Sequence, residues 1–291
     1  MWVAGARPRT LPAAVVPVLV GTALAAEAAE GATGSVVWWR AGAALVVALA
    51  LQIATNYAND YSDGVRGTDR DRVGPVRLVG SGLVAPRRVL AAVSISFAVA
   101  GVAGLALTIA VGPELLVVGV VSMLAGWFYT GGSRPYGYHG FGELFVFVFF
   151  GLVATVGTFY VQVGEVTARA VLAGAGVGAL ACALLVVNNL RDIPTDRASA
   201  KRTLAVRIGD RATRVSYVVL VVGAFAVVAG LAPGSRWVLI GFVAVAAAVA
   251  PVRTVLSGAV GRDLVGALAG TGRLQLVYGV LVTAGIWIGA G

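Results

Sequence analysis

Two stretches of this chain carry oxygen ligands and cations at spacings that suit a metal-bound diphosphate. The first holds Asn56, Asn59, Asp60, Asp63, Arg66 and Asp69. The second, far along the chain, holds Asn188, Asn189, Arg191, Asp192 and Asp196. Continued as a helix, the first stretch places Asn56, Asp60 and Asp63 on one face at i, i+4 and i+7. Beyond them Gly64 and Gly67 can turn the chain so that Asp69 rejoins that face. Asn188, Asp192 and Asp196 are likewise spaced by four, with Pro194 expected to disturb the helix beside the second carboxylate. Aspartates without His or Cys partners fit a hard cation such as Mg2+, which takes a few carboxylates and completes its octahedron with phosphate oxygens.

Cations surround both stretches. Arg66, Arg70, Arg72 and Arg77 accompany the first, and Arg191, Arg197, Lys201 and Arg202 the second. Guanidinium forks and ammonium groups suit phosphate oxygens. An Asp/Arg loop taken singly reads more readily as a solvated turn whose charges only set topology. Two matched clusters, each beginning with an Asn inside an apolar run, favour function. A carboxylate at mid-membrane costs roughly 2.5–3.5 kcal/mol on the insertion scale and seldom persists there idle. An allylic diphosphate is a substrate such a site suits. Metal and cationic side chains stabilise the departing diphosphate, and an apolar cavity keeps water from the carbocation. Phe141, Phe145, Phe147, Phe149, Phe150, Phe159 and Tyr160 offer candidate aromatic faces to that cation, although most are expected to be packing residues.

The elements that must position these groups are membrane helices. Of 291 residues, 59% are hydrophobic and 12% charged, against about 25% charged in an ordinary soluble domain. Apolar runs near 11–29, 36–58, 88–110, 114–130, 141–162, 168–190, 213–231, 236–254 and 273–290 predict about nine transmembrane helices in an all-α polytopic protein, the fourth of them short. The sequence is read as a single domain over 1–291. Placing the N-terminus in the cytoplasm puts every Lys and Arg but Arg40, Arg169 and Arg236 on that side, together with all the aspartates, and sends the C-terminus outside. The net charge of +9 is spread over short loops, which fits topology and anionic lipid and argues against nucleic acid. Arg7, Arg9 and the apolar run after them imitate a signal peptide, but Pro12, Pro17 and the later spans favour a retained first helix. The lone Cys182, inside an apolar run, reads as inert packing.

At these residues the sequence resembles the UbiA superfamily of intramembrane prenyltransferases, and within it the branch acting on 1,4-dihydroxy-2-naphthoate in menaquinone synthesis. The resemblance covers nearly the whole chain. Its carriers are Ala6 to Pro12, Asn59 to Gly64, Gly67 to Asp69, Arg72 to Leu78, Tyr129 to Gly132, Pro135 to Tyr138, Asn188 to Asp196 and Lys201 to Arg207. It implies helices around a central cavity open to the cytoplasm and the membrane, with Asp60, Asp63, Asp69, Asp192 and Asp196 holding Mg2+ and diphosphate. Asn56, Asn59, Arg66, Lys201 and Arg202 would contact the diphosphate or support its ligands. Arg134, Tyr136, Tyr138 and His139 would lie on a loop closing over the site. Either Arg134 or the N-terminal Arg7 and Arg9 would receive the acceptor's carboxylate. The implied reaction joins a polyprenyl diphosphate to the naphthoate at the plasma membrane. It releases diphosphate and carbon dioxide and leaves demethylmenaquinone, with membrane lipid as the surroundings. Two departures from the pattern are Ser133, where proline is common, and Ala200, where a glycine usually precedes the lysine.

Other functions fit less well. A prenyltransferase for another aromatic acceptor, 4-hydroxybenzoate or homogentisate, stands nearest. A lipid phosphotransferase using CDP-alcohols shares the Asp60-x-x-Asp63-Gly64 start, but its pattern wants Ala-Arg where Gly67 and Thr68 stand. A secondary transporter usually carries its polar groups near mid-membrane, whereas these aspartates gather toward one face. His139, the one histidine, reads as a solvated loop residue rather than a base.

Overall fold

The computed structural model describes residues 1–29, 35–67 and 77–290. Among them the chain is helical throughout, with no strand. The long rods are α1 (Pro12–Ala29), α2 (Trp38–Arg66), α3 (Pro86–Val111), α4 (Glu114–Phe128), α5 (Gly142–Val163), α6 (Ala168–Ala198), α7 (Leu204–Leu231), α8 (Arg236–Leu256) and α9 (Leu264–Gly289). Eight of these are long and apolar enough to cross a bilayer, α9 being counted with the turn before it. The exception is α4, with 15 residues; at 1.5 Å per residue it reaches only about 22 Å. The expectation that the fourth apolar run is short is met.

α2 and α6 are the longest of these helices. A span needs about 20 residues, whereas α2 has 29 and α6 has 31. Their extra C-terminal turns carry the two polar clusters, which are therefore helical extensions of the spans rather than loops. The chain continues through Gly64, where a Cβ would meet Val79 at 2.5 Å, and stops at Gly67 in the left-handed conformation (φ 72°) that glycine adopts without a Cβ clash. α6 runs on through Pro194, where the sequence leads one to expect a disturbed helix. It forfeits one backbone bond near the helix end, and the Thr195 hydroxyl ties into the same turn by donating to the Asp192 carbonyl at 3.0 Å.

α6 is buried along most of its length and α3 hardly at all. Small residues let the neighbours of α6 close in: a Cβ on Gly151 of α5 would stand 2.5 Å from the Gly178 Cα. At the ends away from the aspartates, Arg169 forks onto Glu27 at 2.6 and 2.9 Å and donates to the Leu231 carbonyl at 2.7 Å. Arg40 donates to the Val161 carbonyl at 2.9 Å nearby in sequence order of the same rim. Arg40 and Arg169, two of the three cations the charge pattern separates from the rest, thus clamp the end of the bundle opposite the polar clusters.

Candidate active site

A cavity of about 1020 Å³ runs among α1, α2, α4, α5 and α6. Along α2 its lining extends from Ala44 to Asp63, about 28 Å at the helical rise, close to the thickness of a bilayer core. One end is apolar, with Leu107, Leu115, Val118 and Val161; the other is polar, with Asn59, Asp63, Arg77, Asn188, Asp192, Asp196 and Lys201.

Helical spacing decides which residues of the first cluster face inward. Gln52, Asn56, Asn59 and Asp63 all line the cavity, at separations of 4, 3 and 4 that follow one helix stripe. Asp60 lies off that stripe and is absent from the lining. It is 1% exposed, and its two carboxylate oxygens accept the backbone N–H groups of Leu78 (2.7 Å) and Val79 (2.9 Å). Asp60 and Asp63 thus turn to different surroundings, and Asp60 fastens the returning chain to α2. Asn56 also has a structural task, donating to the Ala6 carbonyl (2.9 Å) and to Thr10 Oγ1 (3.2 Å), while Gln52 donates to the same hydroxyl at 2.9 Å. These bonds hold the N-terminal segment across the cavity. There Arg7 takes a left-handed backbone (φ 54°), a strained state for a residue with a Cβ. Its Nη2 is buried with no hydrogen-bond partner among the described residues.

The two clusters meet through Lys201. Its ammonium lies 3.0 Å from Asp63 Oδ2, and its backbone N–H donates to the Asp196 carbonyl at 2.8 Å. Tyr138 joins them from the third side: its hydroxyl donates to Asp63 Oδ1, its carbonyl accepts from Arg202 N at 2.9 Å, and its ring lies 4.6 Å from the Lys201 ammonium. Arg77 stands 3.8 Å from Asp63. In the second cluster Arg191 forks onto the neighbouring Asp192 carboxylate at 2.7 and 2.8 Å and reaches Asn188 Oδ1 at 2.9 Å. All of these side chains are buried or nearly so, which sets aside the solvated-turn reading of the two clusters.

Other expected site residues lie elsewhere. Arg66 donates to the carbonyls of Thr130 and Gly132, so it pins the 130–132 turn rather than facing the cavity. The Arg202 side chain and the exposed Arg134 do not line the cavity either, whereas Arg7 and Arg9 do. Asp69, with Arg70 and Arg72, falls outside the described residues. Tyr136 lines the cavity, with its hydroxyl on the Ala125 carbonyl at 2.8 Å; burial pushes its phenol up and keeps it protonated. Tyr129 is pushed up for the same reason, with the Glu143 carboxylate adding to the effect. His139 is exposed, its Nδ1 at 3.0 Å from the Pro135 carbonyl, as a loop residue should be. Of the seven aromatic residues on α5 and its approach, Phe145, Phe149 and Phe150 line the cavity, while Phe159 is core and Phe141 is exposed. Sequence reasoning missed Gln52, Thr55 and Glu143. A carboxylate one residue into an apolar span was the signal for Glu143.

The donor set suits a hard cation. Carboxylate and amide oxygens of Asp63, Asp192, Asp196, Asn59 and Asn188 gather at the polar end with neither sulfur nor imidazole. Among the described residues no three acidic, His or Cys groups converge closely enough to hold a metal by themselves.

The description of the UbiA prenyltransferase family matches residues 14–262. The chain is 50% identical over 288 residues to the 1,4-dihydroxy-2-naphthoate octaprenyltransferase of Mycobacterium tuberculosis, covering 99% of this chain and 97% of that one. It is 38% identical over 236 residues to the enzyme of the same name from Escherichia coli, covering 76% and 73%. In fold it is similar to a UbiA homolog from Aeropyrum pernix, with TM-score 0.66 at 16% identity, covering 95% and 97% of the two chains. It is similar also to a UbiA homolog from Archaeoglobus fulgidus bound to GPP and Mg2+, with TM-score 0.63 at 15% identity, covering 97% and 99%.

Proposed function

The chain belongs to the UbiA prenyltransferase family, and from that premise we propose that it transfers a polyprenyl group from polyprenyl diphosphate to 1,4-dihydroxy-2-naphthoate. Diphosphate and carbon dioxide leave, and the product is demethylmenaquinone. The observation that carries this reading is the meeting of the two clusters: Asp63 and Asp196, far apart in sequence, are tied together by Lys201 at the polar end of an apolar cavity. The relatives bearing the naphthoate name, one of them half identical over the full length, support the choice of acceptor.

The residues divide the work. Asp63, Asp192 and Asp196 would hold Mg2+, which would supply positive charge to the departing diphosphate. Asp69 stays a candidate in the same set, and Asp60 leaves it. Lys201, Arg77 and Arg191 face the phosphate oxygens, while Arg66 and the Arg202 backbone keep the loops of Thr130 and Tyr138 against them. The apolar end takes the isoprenoid chain and excludes water, and Phe145, Phe149 and Phe150 turn aromatic faces toward the allylic cation. Arg7, with its buried partnerless Nη2, receives the acceptor's carboxylate, because a guanidinium in that setting needs an anion; the exposed Arg134 does not. The electron-rich ring attacks the cation at its carboxylated carbon, and loss of carbon dioxide returns the electron pair to the ring. No enzyme nucleophile takes part. On this reading the polar end faces the cytoplasm, as the basic loops favour, in the plasma membrane of the cell.

Purified protein in vesicles, given Mg2+, a long-chain prenyl diphosphate and a panel of aromatic acids, tests this. Mass spectrometry should find the prenylated, decarboxylated naphthoate, and chelation should abolish it. Product from 4-hydroxybenzoate or homogentisate alone would transfer the assignment to another acceptor.

A further inference from the structure

Glu143 stands in the first turn of α5, where its carboxylate meets α6. Oε1 accepts from Asn189 Nδ2 at 2.9 Å, and Oε2 is buried with no hydrogen-bond partner among the described residues. The Cys182 thiol donates to the Glu143 carbonyl at 3.0 Å, fixing the backbone from which this carboxylate projects. In this pair Glu143 Oε1 takes the acceptor role. It therefore holds the Asn189 amide in one of its two flips, with NH2 toward Glu143 and Oδ1 turned away. Asn189 lines the cavity; Glu143 does not.

The carbonyl oxygen so presented can accept a hydrogen bond. Phosphate oxygens are acceptors, so the diphosphate cannot supply one. Aromatic rings share the cavity with Asn189: Tyr129, Tyr136 and Phe145 also line it, and the Tyr136 and Phe145 rings stack at 3.9 Å. Such a lining fits a flat hydroxylated ring. We infer that Glu143 is a positioning residue that orients Asn189, and that the Asn189 side-chain carbonyl accepts a hydrogen bond from the acceptor's 4-hydroxyl. The other hydroxyl adjoins the carboxylate and is satisfied by it. This inference rests on the naphthoate assignment above.

The test compares binding of 1,4-dihydroxy-2-naphthoate with that of 1-hydroxy-2-naphthoate, which lacks the 4-hydroxyl, alongside the KM for the prenyl diphosphate. Turnover of the dihydroxy acid by the unaltered enzyme checks the assignment itself, independently of the variants. Glu143→Leu should weaken the dihydroxy acid by about tenfold, the worth of one hydrogen bond. It should leave the monohydroxy acid and the prenyl diphosphate KM unchanged. Glu143→Gln, whose Oε1 still accepts from Asn189, should behave as the unaltered enzyme. Asn189→Ala should reproduce Glu143→Leu and carries the test if that variant fails to fold. Equal weakening of both acids, a raised Mg2+ requirement in either variant, or a Glu143→Gln that behaves like Glu143→Leu would overturn the inference.

Discussion

Asp60 and Asp63 sit three residues apart on one helix and serve different ends. Asp63 faces the cavity and meets Lys201, Tyr138 and Arg77. Asp60 faces the returning chain and satisfies two buried N–H groups. Removing Asp60 orphans both amides, at about 1–3 kcal/mol each. Asp60→Ala should therefore lower the thermal midpoint of the detergent-solubilised protein markedly. Asp63→Asn should keep the Leu78 and Val79 amides paired while reducing prenyl transfer by about a hundredfold or more, the scale of losing a charge-stabilising group. A stable, inactive Asp60→Ala protein would return Asp60 to the metal-binding set. The motif was legible in the sequence, but the division of labour within it was not. Asn56, Asn59, Asp60 and Asp63 crowd into two turns of one helix, and only the packing of the Leu78 and Val79 backbone shows that Asp60 turns toward it while Asp63 turns to the cavity.

Among the elements, the connection from α6 to α7 carries the lysine that joins the clusters. Ala200, just before Lys201, adopts φ 56°, the left-handed region that costs an L residue roughly 1–2 kcal/mol. A glycine at this position would adopt the same conformation without that cost. Ala200→Gly should relieve the strain and raise stability by about 1 kcal/mol, since glycine's added unfolded-state entropy offsets part of the gain. Thermal unfolding checks the sign, and activity should be retained because the Lys201 backbone bond to Asp196 is untouched. The helices themselves were legible from apolar runs near their observed positions. Their overhanging ends were not. α2 and α6 continue to Arg66 and Ala198, because polar turns that leave the apolar run can still be helical when they bury their polar groups against one another.

At the scale of the whole molecule, the cavity joins a charged end to an apolar one, so the donor's two halves occupy chemically opposite surroundings. Gly157 lines the apolar part, and a Cβ there would meet nothing within 4 Å. Gly157→Phe adds a ring to empty space rather than to packed neighbours. It should cut turnover with a long-chain prenyl diphosphate while sparing geranyl diphosphate, as read from product lengths in a mixed-donor assay. Equal loss with both donors would mean that the tail takes another route.

The sequence by itself determined the membrane-helical class, the approximate spans, the separation of charge between the two ends and the identity of the two polar clusters. Each of these follows from composition and periodicity, which are local properties of the chain. That Asp60 fastens the returning chain, that Arg66 pins a turn, that Arg7 rather than Arg134 faces the cavity and that Glu143 meets Asn189 emerges only in three dimensions. Those outcomes depend on which backbone amides, carbonyls and side chains from distant segments come within about 3 Å. Hydrogen bonding at that range is set by the packing of helices against one another, which no single stretch of sequence encodes.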